Sequence, residues 1–96
     1  MQDAVSSVLY ARQHIHDQRL HYLFLQIRDI ICVEWSLVAL DVLPESHLRD
    51  DLGFSFDGLV EVAMAMEEAF NIAISDERLQ RVETVRDLVM LADRQA

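Results

Sequence analysis

The sequence predicts an all-α fold: a small bundle of three main helices and one short helix, with a long loop between the first and second. Three observations carry that expectation. With 2 Gly and 1 Pro among 96 residues, the chain has few tight turns to offer. A hydrophobic fraction of 52% supports a folded core rather than a disordered acidic chain. Between Asp50 and Phe70, the residues Leu59, Val62, Ala63, Met66 and Phe70 recur at the i, i+3, i+4, i+7 spacing of a helix with one buried face. A chain of this length makes one small domain with a modest core.

The elements follow in order. From Met1 to about Asp17, Val5, Val8, Leu9 and Ile15 show loose helical spacing, interrupted by Arg12, His14, His16 and Asp17. This stretch is expected to be helical or flexible. From Gln18 to about Trp35 the spacing becomes regular, with Leu20, Leu23, Phe24, Ile27, Ile30 and Ile31 on one stripe. Trp35 then offers a large ring to cover one end of the core. Residues 36–54 read as a loop, in which Pro44 disfavours helical geometry at Leu43 and Val42 and Leu48 are spaced to anchor on the core. The second helix runs from about Phe56 to Phe70, with Ser55 as its N-cap and Gly58 allowing another surface to approach closely. Ser75 can cap a short helix that ends at Gln80. Thr84 and Asp87 form a capping box that opens the last helix, whose buried face is Val85, Leu88, Val89 and Leu91 or Ala92.

Charge and composition exclude several functions. A formal charge of -9 argues against a nucleic-acid binder, because neutralising phosphates needs clustered Lys and Arg. It favours a basic protein partner, drawn to an acidic face. The lone Cys32 excludes an internal disulfide and a cysteine-based metal site, and its apolar neighbours suit a buried free thiol. His14, His16 and His21 invite a metal reading, but no further His or Cys completes a coordination set. No apolar run approaches the ~20 residues of a membrane-spanning helix, and the N-terminus lacks a signal-peptide pattern. A cytoplasmic location is the default. His47 lies eight residues before Ser55, but no third group accompanies the pair. No glycine-rich phosphate loop or metal set is present, so independent catalysis is not expected.

The stretch Asp51-Leu52-Gly53, followed by Val60, Glu61, Met64, Glu67, Glu68 and Phe70, resembles the centre of an acyl carrier protein. That family's pattern is D-L-G-x-D-S-L-x-x-V-E, followed by a helix ending E-E-x-F. The run from Ile74 to Val85 is also similar to the family's third helix and its link to the fourth. The resemblance covers about residues 20–94. It implies an acyl-carrier-like helical domain at 20–96, preceded by an N-terminal extension at 1–19. It also accounts for the long loop, which such proteins tack down with apolar residues.

Such proteins carry 4'-phosphopantetheine as a phosphodiester on a serine at the start of helix two, and its terminal thiol holds an acyl chain as a thioester. Here the D-S-L triplet is replaced by Ser55, Phe56 and Asp57. In ungapped alignment the family's attachment serine falls on Phe56, which has no oxygen to accept the group. Ser55, one residue earlier, is therefore the candidate for a displaced attachment site, and its alternative role is as an N-cap alone. The resemblance further implies that Glu61, Glu67, Glu68 and Asp57 dock on basic surfaces of biosynthetic enzymes, including a phosphopantetheinyl transferase; the alternative is a solvated helix face. The function it implies is a specialised carrier in fatty-acid, polyketide or related acyl-transfer biosynthesis. The alternative is a non-carrier binding or regulatory module that docks through the acidic helix.

Overall fold

The computed structural model describes the backbone of residues 3–95 and the side chains of residues 16–39 and 41–94. Four α-helices follow one another: α1 Asp3–Trp35, α2 Phe56–Phe70, α3 Asp76–Gln80 and α4 Val85–Gln95. A short 3₁₀ turn, Ala39–Asp41, interrupts the loop between α1 and α2. The all-α expectation holds, with three main helices and one short one. Apolar spacing becomes regular only at Gln18, whereas α1 is continuous from Asp3. Its 33 residues span about 50 Å at 1.5 Å per residue.

The core collects one stripe from each helix. Leu23, Ile27 and Ile31 come from α1; Leu59, Val62, Ala63 and Met66 from α2; Leu79 from α3; and Val85, Leu88, Val89 and Ala92 from α4. The loop contributes Val42, Leu48 and Phe54. Val42 and Leu48 are both fully buried, as their spacing predicted. Helix ends follow local chemistry. Ser75 Oγ accepts from Arg78 N and starts α3. Asn71 stops α2 in the left-handed region at φ 55, ψ 51, a conformation asparagine tolerates better than most residues.

The loop is fastened to the start of α4. The first N–H groups of a helix have no partner within it. Here Val85 N donates to Ser46 O at 3.1 Å and Arg86 N to Pro44 O at 2.7 Å. In return, Leu48 N donates to Glu83 O at 2.8 Å, and His47 and Thr84 form an isolated antiparallel bridge. Ser46, itself buried, accepts from Leu43 N through its hydroxyl. The capping box forms as the sequence predicted: Thr84 Oγ1 accepts from Asp87 N, while Asp87 Oδ2 accepts from Thr84 N and Glu83 N. Burial acts to raise the pKa of Asp87, but these hydrogen bonds outweigh it and hold the carboxyl below its ordinary value.

At the far end of the bundle, Asp93 in the last turn of α4 meets α1. Arg19 Nε donates to Asp93 Oδ1 at 2.8 Å and His16 Nε2 to Asp93 Oδ2 at 3.2 Å. The hydrogen bonds from His16 and Arg19 hold the Asp93 pKa below 3.8, against the effect of burial. At the near end, the Trp35 ring packs edge-on against Phe54, with centroids 4.5 Å apart. It also lies so close to Gly58 that a Cβ there would sit 2.8 Å from Trp35 Cζ2.

Two predictions follow from these contacts. Gly58→Ala gains helix propensity, but the rigid Trp35 ring must shift, and overpacking of this kind costs about 1–3 kcal/mol. A net loss of stability in urea denaturation is expected. In a Trp35→Ala background, where the space is open, the same change becomes stabilising. The Asp93 contribution has a defined pH window: with a folded-state pKa below the unfolded value, it is fully present above pH 3.8 and lost as the pH falls through the folded pKa. Asp93→Asn is therefore expected to cost about 0.5–1 kcal/mol at neutral pH. Denaturation curves of the variant and the parent should converge in acid.

Candidate functional site

The start of α2 is built by the residues on either side of Ser55. Gly53 adopts φ 78, a region glycine enters without strain, and turns the chain toward the helix. Phe54 N donates to Leu48 O at 2.8 Å, and the Phe54 ring enters the core beside Trp35. Ser55 is extended at φ -84, ψ 172, so its side chain leaves on the opposite side, exposed to solvent. Its hydroxyl accepts from Gly58 N at 3.2 Å. Ser55 is thus the N-cap that the sequence predicted.

Phe56 is the first helical residue and is half-buried, packed on the edge of the core. It presents no heteroatom there. The backbone N–H groups of Phe56 and Asp57 have no partner among the described residues, so they remain available at the positive end of the helix dipole. A helix end of this kind favours an anionic group. Asp57 opposes a phosphate by charge, standing exposed in the first turn.

Of the four predicted docking carboxylates, three form a row. Asp57, Glu61 and Glu68 are exposed and lie at i, i+4 and i+11 on one face of α2. Met64, at i+7, fills the gap and is 61% exposed. Met64, which matches the family pattern, thus stands within the exposed acidic row. Glu67 differs. It is half-buried, and its Oε2 accepts from Ile74 N at 2.9 Å, tying the α2–α3 connection to α2. Its carboxylate is engaged within the chain.

The remaining sequence candidates are placed elsewhere. Asp51 accepts from His47 N at 2.7 Å. His47 Nδ1 accepts from Asp50 N at 3.2 Å, so that nitrogen cannot also donate to the Asp50 carboxylate 3.7 Å away. His47 and Ser55 are each hydrogen-bonded to backbone rather than to each other. Cys32 is a half-buried free thiol at the edge of the core. Trp35 covers the core end rather than standing free as a stacking platform. His16 is directed to Asp93, and His21 lies beside Phe24 at 6.5 Å between ring centroids. His14 lies outside the residues whose side chains are described. No helix among the described residues is long and apolar enough to cross a membrane.

Known proteins share the family pattern and the fold of this chain. The family model described as "Phosphopantetheine attachment site" matches residues 26–91, more than half of the chain and the whole of the loop and α2. Among solved structures, the chain is similar to the apo doublet acyl carrier protein from prodigiosin biosynthesis, determined in solution, with a TM-score of 0.69 and 18% sequence identity. The match covers 81% of this chain and 38% of that one, so the chain spans well under half the length of the protein it matches. At that identity the likeness is one of fold.

The capping role of Ser55 is separable from any role as an attachment site. Ser55→Ala is expected to lower stability by about 1 kcal/mol, because Gly58 N–H loses its acceptor. Ser55→Asn replaces the hydroxyl oxygen with another capping acceptor and should stay within a few tenths of a kcal/mol of the parent. Urea denaturation of the two variants checks the order.

Proposed function

The chain belongs to the phosphopantetheine attachment-site family, and we propose that it is a specialised acyl carrier module in which Ser55 takes the prosthetic group. The observation that carries this reading is the exposed Ser55 hydroxyl at the start of α2, beside the open N–H groups of Phe56 and Asp57. When bound, the arm supplies a thiol that holds an acyl group as a thioester. The chain's own residues then have two tasks. Ser55 fixes the arm at the end of α2, and the row Asp57, Glu61, Met64 and Glu68 presents three carboxylates and one apolar contact to a basic partner surface. Such partners would be enzymes of fatty-acid, polyketide or related acyl transfer, and the transferase that loads the arm.

The same reading divides the chain into an extension at 1–19 and a carrier domain at 20–96. That boundary falls inside α1, and His16 and Arg19 on its extension side meet Asp93 in the last turn of α4.

A second reading rests on its own observation: Phe56 occupies the first helical position, and Ser55 Oγ already serves as the N-cap. In that case the chain is a binding module without an arm, docking through the acidic row alone.

Intact mass decides between them. After co-expression with a broad-specificity phosphopantetheinyl transferase, the chain is expected to gain one phosphopantetheine, and the Ser55→Asn variant none. An unchanged mass in a folded sample, beside a known carrier modified in parallel, would overturn the carrier reading in favour of the binding module.

A further inference from the structure

The chain is strongly acidic, and all eight of its basic residues are arginine. Three of them gather on one groove. On α4, Asp87, Met90, Leu91 and Arg94 fall at i, i+3, i+4 and i+7 and so share a face. Opposite them, α3 and the turn after it bring Arg78, Arg81 and Val82. Together these residues line a groove of about 440 Å³. That volume lies within the range of small-molecule sites.

The charges in this groove are unbalanced. Arg78, Arg81 and Arg94 are exposed, and among the described residues none of them makes an ion pair. The carboxylate that lines the groove, Asp87, directs Oδ2 to the backbone N–H groups of Glu83 and Thr84. The apolar part of the lining is Val82, Met90 and Leu91. Met90 also borders a second pocket of about 230 Å³, lined in part by Leu20, Phe24 and Val89. Met90, an unbranched and adaptable side chain, is shared by the two pockets.

We propose that this groove binds a small anionic amphiphile, its carboxylate or phosphate head held by Arg78, Arg81 and Arg94 and its apolar chain lying over Val82, Met90 and Leu91. The guanidinium fork matches such head groups in geometry as well as charge. An extended polyanion is excluded by the net charge of the chain, whereas a single head group meets the local arginines first. The proposal does not rest on Ser55: binding here requires no prosthetic group, and the chain without the arm is the test sample.

Decanoate is the probe, followed by two-dimensional amide NMR below its micelle concentration. Saturable shifts are expected at residues of α3 and α4, with weaker effects from decanol, which lacks the charge, and from inorganic phosphate, which lacks the chain. Exchanging the exposed arginines, in Arg78→Gln, Arg81→Gln and Arg94→Gln, should weaken decanoate by about tenfold for each guanidinium that holds the head. Circular dichroism confirms that each variant is folded. Decanol binding as tightly as decanoate, or decanoate affinity unchanged in all three variants, would overturn the proposal. So would sedimentation with phosphatidylglycerol vesicles without saturable decanoate binding, since the head group would then be that of a membrane lipid.

Discussion

The hydrogen bonds between the loop and the start of α4 are the constraint on which the rest of the structure depends. A connection running from Ser36 to Ser55 is long for a compact domain, and loops of that length without regular structure need a reason to stay in place. The reason is mutual. α4 opens with N–H groups that no residue of its own helix can satisfy, and Ser46 and Pro44 supply the carbonyls. The loop gains a fixed partner, and Val42 and Leu48 are delivered into the core. Leu48 then accepts from Phe54 N, which fixes where the loop ends and α2 begins. The position of Ser55 is therefore set from α4, although no part of α4 lies near it in sequence.

α1 completes the placement from the other side. Its last residue, Trp35, lies against Phe54 and Gly58, so the first turn of α2 is held between the Trp35 ring and the core. A glycine in a helical first turn is unfavourable as a matter of backbone entropy. It is retained here because a ring stands where a Cβ would be. The start of α2 is thus rigid on its buried side and open on the side that carries Ser55 and Asp57.

Much of this was legible in the sequence, for identifiable reasons. The starts of α2 and α3 follow from local signals, a serine cap at each, whereas the left-handed Asn71 that stops α2 emerges from the structure. Thr84 and Asp87 announce α4 because a capping box is a property of four adjacent residues. The start of α1 was not legible in the same way. Apolar spacing reports burial against other elements, and the spacing of Val5, Val8, Leu9 and Ile15 is too loose to mark a helix on that signal alone. The role of Glu67 was hidden for a related reason. Its neighbours Glu61 and Glu68 remain on the exposed row, and nothing in the sequence says that Glu67 reaches Ile74 N across the turn. The arginine-lined groove is equally non-local, since it exists only once α3 and α4 are packed together.

The displacement of the hydroxyl by one residue, from the first helical position to the cap, bears on whether capping and attachment compete. Ser55 caps α2 through an oxygen lone pair that accepts from Gly58 N. Attachment of an arm replaces the hydroxyl proton, which takes part in no hydrogen bond among the described residues. The oxygen of a phosphate ester is a weaker acceptor but keeps a lone pair, so the two roles draw on different parts of one group. The added phosphate would lie at the positive end of α2, where the N–H groups of Phe56 and Asp57 have no partner among the described residues. Against it stands the charge of Asp57, two residues on and exposed to solvent, where screening weakens the repulsion. On this balance the arm proposed for Ser55 would leave the cap of α2 in place, while Phe56 packs that helix against the edge of the core.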